Sequence, residues 1–371
     1  MTIVLVILIL VSLIIFHEFG HFIAAKVSGV RVEEFGVGYP PTALSLGHIG
    51  ETEYTLNWIP FGGFVRLFGD EGERVRGAGA FVSANRGKQA FILVAGILMN
   101  LIAGWAFFTA GYMMGIPRPI TDVAGASATS TAGAQLFIAD VLSGSPADAA
   151  GIKPGDEILA ISDTSGTAPS LSVSGVQSFV EKRGGQKLSI EYLRGAGTGH
   201  EATSSTTVIP ANAVIPSAPN RAAVGMDLVL ITNTPLPFTA ASMASFSSCY
   251  SAFFAVAESV WSIIEHTIFG SLNLQGLVGP VGLVSVVGEA MQAGFGQVLA
   301  LAGFISINLA VINLLPIPLL DGGRLLVVAI EAATRRRTPR LLIHILNTVG
   351  VVAVLLLMVV VTYHDIARLI A

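Results

Sequence analysis

The chain has 371 residues, 53% hydrophobic and only 12% charged, with a formal net charge of -4 and a mean hydropathy of +0.73. A soluble domain carries about 25% charged residues, so this composition belongs to an integral membrane protein, and its slight negative charge gives no electrostatic footprint for nucleic acid. The single cysteine, Cys249, excludes an intrachain disulfide and a multi-cysteine metal site.

Residues 2–16 are free of charge, and then His17, Glu18 and His21 arrive within five positions. Nothing basic precedes this apolar run, which argues against a cleaved signal peptide. Positions i and i+4 share one helix face, so both imidazoles can reach one metal ion with Glu18 beside it as a general base. This is the His-Glu-x-x-His spacing of zinc metalloproteases. An ionisable group at membrane depth costs about 2.5–3.5 kcal/mol on insertion scales and therefore usually marks function.

Four segments reach the ~20 residues needed to cross a bilayer: 3–25, 89–116, 298–320 and 341–363. The stretch 246–270 is apolar but carries Glu258, Glu265 and His266. It predicts an amphipathic helix at the interface or packed on the bundle, with a fifth span as the alternative. The basic residues of loop 26–88 and the short cluster Arg335-Arg336-Arg337 with Arg340 favour the cytoplasm. That puts the amino terminus, residues 117–240 and the carboxy terminus outside. In loop 26–88, segments 34–39 and 54–67 read as extended, with Gly36, Gly38, Gly62 and Gly63 as candidates for receiving an extended substrate along a strand edge.

Residues 117–240 differ in kind, being richer in charge, Gly, Ser and Thr. Runs 134–142 and 186–193 read as strands, and 122–134 and 196–206 as flexible connections, which predicts a soluble α+β module.

A zinc site built on His17 and His21 needs a third protein ligand, and Asp321 is the candidate. It follows Pro316 and Pro318, neither of which can continue an unbroken helix. Taken alone, Asp321 reads equally well as a cap beside the Gly322-Gly323 turn. The first and third spans run in the same direction, however, and this brings Asp321 to the depth of the histidines.

These motifs together resemble the site-2 protease family of intramembrane zinc metalloproteases, in particular its bacterial regulator-of-sigma-E branch. The resemblance covers nearly the whole chain. It rests on His17-Glu18-Phe19-Gly20-His21, Phe35-Gly36-Val37-Gly38, Pro60 through Arg66, Gly279-Pro280-Val281-Gly282, and Asn313 through Gly323. It implies a polytopic α-helical membrane protein with about four transmembrane helices, a cytoplasmic-side β-hairpin or sheet, and an inserted extracytoplasmic α+β PDZ domain. The expected division is 1–116 and 241–371 for the membrane catalytic parts, the latter including the interfacial helix, and 117–240 for the PDZ-like domain. The PDZ resemblance rests on the run from Ser145 to Ile161, a helix at 174–182, and Gly133-Ala134-Gln135-Leu136 as the nearest match to a carboxylate-binding loop.

By the same resemblance Zn²⁺ is held by His17, His21 and Asp321, Glu18 is the catalytic base, and Asn313 binds substrate or stabilises the oxyanion. Substrates are transmembrane proteins already cleaved once, an anti-sigma factor or a signal-peptide remnant being candidates. The setting is the lipid bilayer of the cytoplasmic membrane, with no nucleic acid. Two rivals remain at this stage: a non-catalytic membrane scaffold using the PDZ-like module, and a membrane-anchored quality-control metalloprotease. Asn100 and Asn308, also in spans, are accounted for by polar helix–helix contact, and the resemblance adds a little weight to Asn100 without assigning it a role.

Overall fold

A computed structural model of the chain describes residues 1–70, 77–120, 134–196, 201–215, 218–268 and 279–370. The chain folds as two compact units, one of residues 1–112 with 237–371 and one of residues 113–236.

The first unit is a helix bundle with a small sheet. Helix α1 (Thr2–Ser28) ends where Gly29 adopts φ 74 and folds the Gly29 amide back onto the carbonyl oxygens of Ala25 and Lys26. Helix α2 (Arg86–Met113) returns beside it. The approach is close because Gly20 has no side chain: a Cβ there would lie 2.9 Å from Met99 Cβ. Helices α5 (Phe238–Ile268), α6 (Pro280–Ala293), α7 (Phe295–Leu314), α8 (Asp321–Thr334) and α9 (Arg340–Ile370) complete the unit. The N-terminal half of α1 (Val6, Ile9, Leu13) packs on Val287 and Ala290 of α6 and on Val298 and Ala302 of α7. Gly104 of α2 meets Gly303 of α7, where small residues let the two backbones approach.

Four helices among the described residues are long and apolar enough to cross a membrane: α1, α2, α5 and α7. Helix α9 contributes the shorter apolar stretches Leu341–Val352 and Met358–Ala367. The departure from expectation is α5. It begins eight residues before 246, is 31 residues long and packs Val256 against Ile307 and Val311 of α7. The upstream Ser and Ala residues look polar or neutral in sequence, but small residues suit helix packing in a membrane. The expected third span is also shorter than the sequence suggested. Helix α7 stops at Leu314, and Pro316 and Pro318 lie in an irregular segment between α7 and α8, since neither proline can supply the donor that a continuing turn needs.

Strands β1 (Val32–Ile49) and β2 (Thr52–Leu67) form an antiparallel sheet in which each strand folds back on itself. Residues 32–37 pair on one side with 63–67 and on the other with 53–56, while 42–49 pairs with 52–57. The sheet is fastened to the C-terminal half of α1. Lys26 Nζ donates to Thr52 Oγ1 at 2.7 Å, Phe22 packs edge-on to Phe35, and Val32 and Leu67 join a core with Ala24, Ala25, Ile92 and Leu93.

The second unit is an antiparallel seven-stranded sheet with two short helices. The strands are β3 (Arg118–Ile120), β4 (Gln135–Val141), β5 (Glu157–Asp163), β6 (Gly166–Thr167), β7 (Leu188–Arg194), β8 (Ala202–Val208) and β9 (Met226–Thr232). Their order is β3-β9-β4-β5-β7-β8, with β6 on β5. Helix α3 (Pro146–Ala149) is capped by the Ser145 hydroxyl, and α4 (Val173–Glu181) by that of Ser172. Leu136, Ile138, Ile158, Ile161, Val176 and Leu188 are among the residues of its core.

Two connections differ from expectation here. Residues 202–206 belong to β8, where alternating Thr and Ser pair along β7, and only 197–200 of the expected connection lie outside the described residues. Most of 122–134 also lies outside them. The run 133–136 does not form a loop over its described part, because Gln135 and Leu136 sit in β4 and Leu136 pairs with both β9 and β5.

Candidate metalloprotease active site

One turn of α1 presents His17 and His21 to the same point, and the first residue of α8, Asp321, meets them there. His17 Nε2 lies 3.0 Å and His21 Nε2 3.1 Å from Asp321 Oδ2, and the two imidazole nitrogens are 3.2 Å apart. The three side chains are only 10–12% exposed, and they form the metal-capable cluster found among the described residues.

Asp321 reaches the histidines because the chain doubles back after α7. Leu319 takes a left-handed φ of 86, and the segment folds tightly against the start of α8. A Cβ on Gly323 would lie 2.7 Å from the carbonyl carbon of Ile317, and one on Gly322 would collide with the Leu315 carbonyl. The Gly-Gly pair is thus the steric condition for the turn that aims Asp321. From the other side, Gly350 of α9 leaves room for Pro318, whose oxygen a Cβ there would meet at 2.6 Å.

Helix α2 supplies the floor. Gly96 faces both rings, and a Cβ there would lie 2.6 Å from His21 Cε1 and 2.8 Å from His17 Cε1. The His21 Nδ1 proton is donated to the Ile92 carbonyl at 2.8 Å. A carbonyl only accepts, so this contact fixes the tautomer and leaves Nε2 with a free lone pair. Asn100, fully buried, sits 3.2 Å from His17 Nδ1 through its amide. Polar helix–helix contact, the sequence expectation for Asn100, therefore understates its place. The available signal was its spacing: Gly96 and Asn100 are one turn apart on an apolar helix, a gap followed by a polar group.

The sheet forms the roof over Glu18. A Cβ on Gly63 would lie 3.6 Å from Glu18 Cγ and 3.1 Å from the Gly36 oxygen, so the sheet closes directly over this carboxylate. Gly38 at φ 82 and Gly62 at φ 109 occupy backbone conformations that side chains disfavour. A Cβ on Gly62 would also meet the Tyr39 ring at 2.6 Å. Asn313 is half-buried on the last turn of α7, and its side chain makes no hydrogen bond among the described residues.

The donor set suits zinc. Two imidazole nitrogens and one carboxylate oxygen leave a fourth position open, as catalytic zinc sites do. Their 3.0–3.2 Å separations match the edge of about 3.3 Å implied by tetrahedral bonds of ~2.0–2.1 Å.

Comparison with known proteins agrees with this chemistry. Residues 5–357 match the model of Peptidase family M50. A Clostridium perfringens protein named as a zinc metalloprotease is 31% identical over 361 residues, covering 96% of this chain and 95% of its own. The zinc metalloprotease RasP of Bacillus licheniformis is 25% identical over 449 residues, with 99% of each chain covered. RasP of Shouchella clausii is 26% identical over 425 residues, with 96% of each covered. A zinc-type donor cluster between apolar helices and a match spanning nearly the whole sequence agree that the chain belongs to peptidase family M50, the site-2 protease family of membrane zinc metalloproteases.

Proposed function

We propose that this protease hydrolyses peptide bonds within transmembrane segments of proteins already trimmed once, with His17, His21 and Asp321 holding Zn²⁺ and Glu18 as the base. The observation carrying this reading is the convergence of His17, His21 and Asp321 within 4.8 Å, between helices able to span a membrane.

When bound, zinc supplies Lewis acidity, polarising the scissile carbonyl and acidifying the attacking water. Glu18 accepts the proton of that water on its carboxylate and returns it to the leaving amine. Asn313, with its amide uncommitted, donates to the oxyanion. A substrate helix hides its carbonyls in intrachain bonds, so it must unwind locally. Among the described residues, 63–67 pair with 32–37 along one side only, and the unwound segment adds along their other side, next to Glu18. Gly36 and Gly62 make room in this platform for the rings of Phe64 and Tyr39, Gly38 for the Ile59 carbonyl, and Gly63 for the approach to Glu18.

The unit of residues 113–236 is read as a PDZ-like domain on the extracytoplasmic side of the cytoplasmic membrane. The expected bounds 1–116, 117–240 and 241–371 are set four residues earlier in this reading, with 113–236 as the inserted domain and 1–112 and 237–371 as the membrane catalytic parts. A cavity of about 310 Å³ lies between Val176 and Val180 of α4 and the start of β9 at Met226 and Leu228. The domain acts as a docking site or size filter that admits substrates after an outer cut. Anti-sigma factors and signal-peptide remnants are the substrate classes that fit.

The test is cleavage in detergent of a pre-trimmed transmembrane substrate by wild type, Glu18→Gln and chelator-treated protein. Cleavage by wild type alone, mapped inside the substrate's membrane segment, is expected. Cleavage confined to soluble substrates would point to the quality-control alternative.

A further inference from the structure

The two histidines are not held alike. His21 Nδ1 faces a backbone carbonyl, so its tautomer is fixed whatever binds at Nε2. His17 Nδ1 faces the side-chain amide of Asn100, whose nitrogen lies 3.2 Å from it. The other amide atom, Oδ1, is buried with no hydrogen-bond partner among the described residues. Amide oxygen and nitrogen have nearly the same shape, and which of them faces a partner is decided by the hydrogen bonds around them. Here His17 alone decides it, since no other described group engages the amide. Ser306 does hold Asn100, but through the backbone oxygen, to which its hydroxyl donates at 2.7 Å.

Ligation through His17 Nε2 requires the proton on Nδ1, and a proton there requires an acceptor. We infer that Asn100 is the positioning residue for His17: turned so that Oδ1 accepts from Nδ1–H, it fixes the tautomer that leaves Nε2 free for the metal. Asn100 touches neither substrate nor reacting atoms. It acts through His17, as a carbonyl or carboxylate partner does for other metal-binding histidines. The inference rests on the proposed ligand set.

The experiment is zinc affinity of the purified full chain in detergent, measured by competition with a chromophoric chelator. Wild type is compared with Asn100→Leu, Asn100→Asp, Ser306→Ala and His17→Ala. Asn100→Leu, which fills the same space without an acceptor, is expected to bind zinc about 10–100-fold more weakly. Asn100→Asp keeps the acceptor and should stay within a few-fold of wild type. Ser306→Ala loosens the same α2–α7 contact without touching the amide, so it should bind like wild type. Wild-type affinity in Asn100→Leu would overturn the inference, and so would equal losses in Asn100→Leu and Ser306→Ala, which would mark a packing effect. If Asn100→Asp does not fold, the contrast of Asn100→Leu with Ser306→Ala still decides. Unchanged binding in His17→Ala would instead sink the ligand assignment itself.

Discussion

At the scale of single residues the site depends on one acid and on one missing side chain. Glu18 follows His17 on α1 and lies under Gly63 of the sheet. Glu18→Gln keeps shape and hydrogen bonding but cannot take a proton, so cleavage should fall about 100- to 10,000-fold while zinc content, read by metal analysis, stays stoichiometric. Loss of zinc together with activity would mean that Glu18 is part of the ligand set. Gly96 makes the complementary case. An added methyl would lie 2.6 Å from His21 Cε1, and overpacking a tight contact costs about 1–3 kcal/mol. Gly96→Ala should therefore weaken zinc binding about 10–100-fold at 1.4 kcal/mol per decade, with helix content by circular dichroism unchanged. The convergence of His17 and His21 on one point was legible from their i, i+4 spacing, because a helix converts sequence distance directly into geometry. Asn100 was not, because its partner is 83 positions away and a lone polar residue in a span has a commoner explanation.

At the scale of elements, the turn between α7 and α8 was legible where its chemistry is backbone chemistry: two prolines stop one helix, and two glycines allow the next to start almost against it. The helices α6 and α8 were not foreseen as elements, since 14 residues each between longer apolar runs give no separate periodic signal. The Gly279-Pro280-Val281-Gly282 motif acquires a physical reason in the structure. Asp365, buried on α9, accepts from the Gly279 amide at 3.2 Å and the Gly282 amide at 2.8 Å. A side chain 83 residues downstream thus caps the start of α6, a negative charge at the positive end of a helix. Gly279 must be glycine for the same reason, as a Cβ there would lie 2.6 Å from Asp365 Oδ2. Asp365→Ala removes the cap and should cost about 0.5–2 kcal/mol. Thermal unfolding in detergent should show the lower midpoint, with zinc affinity at wild-type level because α6 does not touch the ligands. A drop in zinc affinity matching that of Gly96→Ala would refute this division of labour.

For the whole molecule, the decisive feature is an insertion. The chain leaves the bundle at the end of α2 and re-enters it at the start of α5, and those two places are tied within the bundle itself. The Trp105 indole donates to the Ser242 carbonyl at 3.2 Å, and the Tyr112 and Ser248 hydroxyls bond at 2.7 Å. The unit of residues 113–236 has its own core, as inserted domains do when their ends lie close together. The composition shift after residue 116 was legible because a soluble module must carry polar surface that a span cannot. The folding of 202–208 into a strand was not, since Thr and Ser read as linker until a partner strand is known. If the inserted unit filters substrates by the size of their outer part, excising residues 114–235 and bridging the gap with a short Gly/Ser linker should leave zinc affinity intact. Cleavage of the pre-trimmed substrate should persist, and cleavage of the untrimmed form should rise from background toward the same rate. Loss of both activities with zinc retained would show instead that the unit delivers substrate, and a trimmed-only preference that survives excision would place the selection in the bundle.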